Sequence, residues 1–249
     1  MTAGAALVSL FSGHSVVVIG AAALELAGMH TGATLDFDVA INIGLEACVA
    51  RLEASPDWAR AGREEHAWSH RSGEMVDVLP VDRAAIERGY VDLTSTGRRL
   101  NVAGYSFAFA DPIPVASYPG LLRARPEAIA VLKMAAYLDR PTERLKDLSD
   151  LAYLFWTYVS EEDDRLYVGE AAGLDLWGEE ASTYLLGLDA GKGINERERQ
   201  LVETFLDTLI GGPWHRERLI RATEFRNWSD DEVIRYLELF RQGVRAAGA

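Results

Sequence analysis

Residues 16–43, VVVIGAAALELAGMHTGATLDFDVAINI, decide the fold. Four apolar β-formers, Val16 to Ile19, run into Gly20 and a small-residue helical segment at 21–26; a turn at 31–34 then leads into a second strand. Side chains alternate along a strand, so Asp36 and Asp38 share one face while Leu35, Phe37, Val39, Ile41 and Ile43 take the other. Two carboxylates on one rigid element suit Mg²⁺, a hard cation usually held by one or two carboxylates together with substrate phosphates. The turn before them offers the complementary feature. With a helix opening directly after the strand, the amides from Gly20 to Ala23 are available to an anion, and their small side chains let phosphate approach the backbone. The plainer reading is that Asp36 and Asp38 form the solvated face of an amphipathic strand and Gly20 makes a tight turn.

The order strand, Gly-small turn, helix, Asp-x-Asp strand resembles the nucleotidyltransferase fold shared by DNA polymerase β, aminoglycoside nucleotidyltransferases and the AbiEii-type toxins. Ile19, Gly20 and Ala21 lie against the first part of that signature, an apolar residue, Gly, then Gly or Ser; Asp36 and Asp38 lie against its Asp-x-Asp or Asp-x-Glu. Two positions depart from it. Ala21 stands where the second Gly or Ser is usual, and Gly32 stands where AbiEii-like members often carry Arg. The resemblance implies an α+β chain, with a nucleotidyltransferase-like mixed β-sheet subdomain followed by a helical subdomain that completes the cleft. It also implies that Asp36 and Asp38 hold Mg²⁺ (or Mn²⁺), that the substrate is an NTP, and that Gly20 and Ala21 cradle its phosphates.

Residues 65–82 read as a β-hairpin turning at 71–74. Its second arm, MVDVLPVD, sets Asp77 between Val76 and Val78. In the resembled family a third carboxylate comes from a neighbouring strand of this kind, where it helps hold metal and takes a proton from the attacking hydroxyl, so Asp77 is the third catalytic and metal-binding candidate. Asp82, beyond Pro80 and near a loop, is a poorer choice. His66 and His70 share a strand face with Trp68 but lack any HExxH context, and read as surface histidines. Residues 98–110 read as another strand pair, through Leu100–Val102 and Tyr105–Phe109. The run Asp111-Pro112-Ile113-Pro114 then breaks regular structure and places a boundary near 115, giving subdomains 1–115 and 116–249.

Beyond the boundary the pattern is helical. Pro126 opens a run with helical apolar spacing that Pro141 closes, and a second helix begins near Arg144. This stretch resembles the AbiEii-like pattern of a Lys on one helix followed by Lys/Arg-Asp-x-x-Asp-Leu on the next. Lys133 matches the first element; Asp147 and Asp150 match the second. Chemically, Lys133 offsets triphosphate or pyrophosphate charge, while Asp147 or Asp150 orients that Lys or the nucleotide. The plainer reading is a helical hairpin with internal charge pairs.

Residues after 155 add helices without recognisable chemistry. The acidic run Glu161 to Asp164 reads as solvated, residues 187–195 as a turn, and Gly191-Lys192-Gly193 lacks the GxxxxGK[ST] spacing of a phosphate loop. Trp156, Trp177, Trp214 and Trp228 read as core or interface residues.

The formal net charge of −13 argues against general affinity for nucleic acid or anionic membrane, so an RNA partner requires a local basic patch. Arg123, Arg125, Lys133, Arg140, Arg144 and Lys146 are the candidates. Cys48 is the single cysteine, which rules out an intramolecular disulfide, and the N-terminal residues carry neither a signal-peptide pattern nor a membrane span; a cytoplasmic protein is expected. Within the resemblance, the expected activity moves an NMP from an NTP to an acceptor hydroxyl on RNA, tRNA or a cationic small molecule. The AbiEii-like likeness adds the toxin of a toxin–antitoxin pair, with an antitoxin protein as partner. Ala21 and Gly32 support the alternative, a non-catalytic nucleotide-binding or interaction protein of the same fold.

Overall fold

Three consecutive valines make β1 (Val16–Val18), a strand buried on both faces, and the first sheet is built around it. In the computed structural model, which describes residues 2–29, 37–169, 171–223 and 226–248, the chain divides into two compact units, Met1–Arg125 and Pro126–Ala249. The architecture is α+β: a mixed sheet in the first unit and a helical second unit.

The first unit opens with α1 (Thr2–Leu10), β1, α2 (Gly20–Leu26), β2 (Phe37–Ile41) and α3 (Leu45–Ala54). It continues through β3 (Trp58–Arg60), β4 (Ala67–His70), β5 (Met75–Pro80), α4 (Arg83–Arg88), β6 (Tyr90–Leu93) and β7 (Arg98–Asn101), and ends with α5 (Tyr105–Ala110), β8 (Ile113–Pro114) and β9 (Leu122–Arg123). Seven strands lie in the order β3-β4-β5-β2-β1-β9-β8. The β2–β5 and β1–β9 pairs are parallel, and the remaining neighbours antiparallel. The near-continuous apolar runs fall on the inner strands, where Val16, Val17, Val18, Val39, Ile41, Val76 and Val78 are buried, as expected for strands covered on both faces. The turn expected at 31–34, Gly32 and Asp36 lie outside the described residues.

Two sequence expectations change here. The segment Tyr105–Ala110 is a helix, and the partner of β7 is β6, in a separate two-stranded sheet. Gly104, at φ +89°, turns the chain into that helix and Tyr105, Phe107 and Ala108 are buried; six residues rich in aromatics fit either period, and burial selected the helix. The expected Asp111–Pro114 break itself contains β8, whose pairing with β9 keeps it within the first unit.

The second unit comprises α6 (Pro126–Asp139), α7 (Leu145–Thr157), α8 (Glu179–Gly193), α9 (Glu196–Gly211), α10 (Pro213–Ala222) and α11 (Asp230–Ala246). Helix α6 starts on a proline, whose missing N–H is no loss at that position, and packs against α7, α8 and α9. Capping boxes at Asn195/Glu198 and Ser229/Glu232 start α9 and α11. Residues 187–193, expected as a turn, are instead the C-terminal half of α8. Their glycines serve close packing: a Cβ on Gly187 or Gly191 would run into the backbone of α11 at Phe240 or Val244, and one on Gly243 would meet α8 at Tyr184. Among the described residues, no helix is long and apolar enough to cross a membrane.

Candidate functional site

Parallel pairing of β2 with β5 sets Asp38 directly beside Asp77, with Val39 beside Val78 in the next row. Residues level with one another on adjacent strands project to the same face, and neighbouring strands lie about 4.8 Å apart, so the two carboxylates are neighbours on a rigid surface. Both residues are half-buried. On the far side of Asp77 the row continues with Ala67 of β4, whose methyl side chain adds little bulk. On the near side of Asp38, the N–H of Ile19 donates to the Asp38 carbonyl at 2.9 Å, which holds the end of β1 against β2.

Gly20 follows at φ +65°, a conformation that disfavours side chains. A Cβ at this position would also lie 2.5 Å from Oδ2 of Asp38. Two constraints therefore require glycine here, one from the backbone and one from the carboxylate. Ala21 is buried in the first turn of α2. Thus Gly20, Asp38 and Asp77 come together, and Asp36, two residues upstream of Asp38, lies outside the described residues. Asp82 instead caps α4, its carboxylate accepting from the Ala85 N–H at 2.7 Å.

Among the described residues, no group of three or more His, Cys, Asp or Glu is arranged to hold a metal ion. The described part of the expected ligand set is the pair Asp38 and Asp77. Its donors are hard oxygens, and adjacent like charges favour a cation between them, so the pair fits Mg²⁺ or Mn²⁺.

Lys133, Asp147 and Asp150 also come together, inside the helical unit. Lys133 Nζ donates to Asp147 Oδ1 at 3.1 Å and to Asp150 Oδ2 at 2.5 Å, and all three residues are buried. Burial acts against the charged ammonium, but the two carboxylates outweigh it and hold the Lys133 pKa above that of an ordinary lysine. Arg144 Nη1 lies 3.8 Å from Asp147 Oδ2. The ion group clasps α6 to α7. Arg140 pairs with Asp139 and Glu143, so three of the six cations of the expected basic patch are engaged within the helical unit. In the acidic run, Arg165 binds both oxygens of Asp163 and also reaches Asp189 at 2.6 Å, which neutralises that part of it.

Other features were not apparent from local sequence. Glu65 is buried and accepts hydrogen bonds from Thr94 Oγ1 at 3.0 Å and from both the backbone N–H and the hydroxyl of Ser95. Burial acts to raise its carboxyl pKa; the Ser95 and Thr94 donors together outweigh burial and hold it down at about 2. His70, expected at the surface, is buried, with its ring tilted against Trp58 at 4.9 Å and Nδ1 2.8 Å from Ser72 Oγ. Of the tryptophans expected in the core or at an interface, Trp177 and Trp214 are exposed and Trp228 is buried. The sequence around Glu65 carries no mark of its pairing, because Thr94 and Ser95 are about thirty residues away in the chain. Cys48 is buried, and burial pushes its thiol up to about 12.

Comparison of the chain with family models, curated proteins and solved structures finds no match.

Proposed function

We propose that the chain is a magnesium-dependent nucleotidyltransferase, with a nucleotidyltransferase-like sheet unit that carries Asp36, Asp38 and Asp77 as ligands for Mg²⁺ or Mn²⁺. The observation behind this reading is the row Asp38–Asp77, with Gly20 turned to leave space for the Asp38 carboxylate. A divalent cation bound there supplies positive charge to phosphoryl oxygens. In the transfer, the acceptor hydroxyl oxygen bonds to the α-phosphorus of the NTP, the bond to pyrophosphate breaks, and Asp77 takes the hydroxyl proton. Gly20 and Ala21 present backbone rather than side-chain bulk to the phosphates. The acceptor is a hydroxyl of a cationic small molecule or of RNA, and the net charge of −13 favours the former. In the RNA case the chain would act as the toxin of a toxin–antitoxin pair.

A second reading draws on a specific observation. Lys133, the cation expected to meet triphosphate, is buried and bonded to both Asp147 and Asp150. That favours a non-catalytic nucleotide-binding or interaction protein in which the group only joins helices.

Calorimetry and thermal unfolding separate these readings. For the parent, Mg²⁺ at ten times its Kd is expected to add about 1.4 kcal/mol of stability, and Asp77→Asn and Asp38→Asn to abolish that gain together with Mg²⁺-NTP binding. Unchanged binding by both variants would overturn the assignment of the pair. Binding of NTP without release of pyrophosphate in any acceptor mixture would leave the second reading in place.

A further inference from the structure

Among the described residues, four of the seven large apolar side chains left exposed lie on one connection of the helical unit, the segment 158–178 between α7 and α8. Val168 is 81% exposed, Trp177 76% and Tyr167 61%, and Leu174 joins them. Exposed apolar residues scattered singly need no explanation, but a group of them on one short stretch marks a surface that something covers. The connection is also longer than helix–helix links usually are, a property of functional loops.

The segment is anchored by its own side chains. Leu166 and Leu176, with Tyr158 and Val159, pack against a buried cluster that includes Ala171, Tyr184, Leu185 and Leu188. Tyr158 OH donates to Asp189 Oδ2 at 2.7 Å, and Tyr167 OH to the Glu161 carbonyl at 2.8 Å. The Ala171 N–H donates to the Arg165 carbonyl at 3.4 Å, which folds the chain back on itself. Leu166 thus packs inward while its neighbour Tyr167 is exposed, and Leu176 packs inward while Trp177 is exposed. The outer apolar residues are held in place by the inner ones, as in a compact surface loop.

Charge narrows what could cover them. The segment carries one cation, Arg165, against six acidic residues. That cation is paired with Asp163 and Asp189, while Glu161, Glu162, Asp164 and Asp175 are exposed. A second copy of a chain of net charge −13, or an anionic lipid surface, would bring like charges together here; a basic partner would not. The helical unit has no strand among its described residues that a partner strand could join, so a helix, which satisfies its own backbone, is the fitting form. We propose that this loop docks a basic amphipathic helix of a partner protein, whose apolar stripe covers Tyr167, Val168, Leu174 and Trp177 and whose cations face Glu161, Glu162, Asp164 and Asp175. The inference does not rest on the nucleotidyltransferase reading, since none of these residues belongs to the sheet unit.

The test titrates the full chain with two fluorescein-labelled synthetic peptides, one of Leu and Lys placed as an amphipathic helix and its twin with every Lys changed to Glu, and follows anisotropy. Saturable binding of the Lys peptide is expected, about tenfold tighter than that of the twin and weakened by added salt. Val168→Ser combined with Trp177→Ala leaves the charge of the chain unchanged and is expected to weaken binding about tenfold with an unaltered circular dichroism spectrum. Glu161→Gln combined with Glu162→Gln is expected to weaken it less and to flatten its salt dependence. Absence of saturable binding, equal binding of the two peptides, or unchanged binding in the Val168/Trp177 variant overturns the proposal. So does a dimer seen in sedimentation, or flotation with phosphatidylserine vesicles, that the same variant abolishes, because a second copy or a lipid surface would then be the occupant.

Discussion

In the sheet unit, Asp38 and Asp77 stand side by side across two parallel strands; in the helical unit, Asp147 and Asp150 converge on one lysine. The first pair brings two like charges together at a half-buried surface, an arrangement in which the two charges repel. The second closes its charge within the fold, because Lys133 bonds to both carboxylates in a buried setting. Glu65 shows a third balance, a buried carboxylate held by neutral donors from Thr94 and Ser95. The difference is between carboxylates paired with one cation across two helices and carboxylates set beside one another on adjacent strands. Asp147, Asp150 and Glu65 tie helices or loops together, whereas the row Asp38–Asp77 sets like charges level with one another, the arrangement on which the proposed Mg²⁺ site rests.

Removing the lysine is the strongest way to break this comparison. Lys133→Met leaves two buried carboxylates without their ammonium and is expected to cost about 3–5 kcal/mol, read from urea unfolding. Adding Asp147→Leu and Asp150→Leu to that variant should recover much of the loss, since apolar residues of similar size replace the whole ion group. A raised lysine pKa means that the contribution of Lys133 is fully present below the unfolded lysine value, about 10.4, and is lost only as pH rises through the folded value. Neutral and mildly acidic conditions should therefore leave the penalty unchanged.

Glu65 should behave in the opposite sense. Its folded pKa, about 2, lies below the unfolded carboxyl value, so its stabilisation is present above the unfolded value and disappears as pH falls towards the folded one. Glu65→Gln is expected to cost about 1–3 kcal/mol at pH 7. The gap between parent and variant in denaturation midpoint should narrow as pH is lowered through the acid range. A gap that stays constant in acid would show that the carboxylate charge contributes nothing.

The smallest effect on folding is expected at Gly20. Alanine there costs about 1–2 kcal/mol for its left-handed backbone. Its Cβ would also displace Oδ2 of Asp38, so the variant should lose Mg²⁺-dependent stabilisation out of proportion to its loss of stability. Thermal unfolding with and without Mg²⁺ measures both, and an undiminished Mg²⁺ response would detach Gly20 from the site.

Much of the secondary structure was legible from local pattern. The valine strand, the small-residue helix after Gly20, the hairpin of β4 and β5, and the proline-started α6 all follow from period, turn chemistry and capping. Elsewhere local pattern misled. Tyr105–Ala110 alternates aromatic and small residues as a strand would, yet is helical; Gly187, Gly191 and Gly193 look like turn residues, yet lie in a helix where Gly187 and Gly191 admit another backbone. In both cases the deciding atoms belong to residues distant in sequence.

The sequence by itself determined which residues carry charge and which face of a strand each aspartate takes, because alternation is a property of the strand alone. Only the tertiary structure decided what stands beside them. Pairing of β2 with β5 made Asp77 the neighbour of Asp38, the packing of α6 on α7 enclosed Lys133 with its two carboxylates, and the approach of α11 to the start of α8 brought Trp228 and Tyr236 to one carboxylate, Glu179. Hydrogen bonding and burial between distant segments set those neighbours, and neither is expressed in the local order of residues.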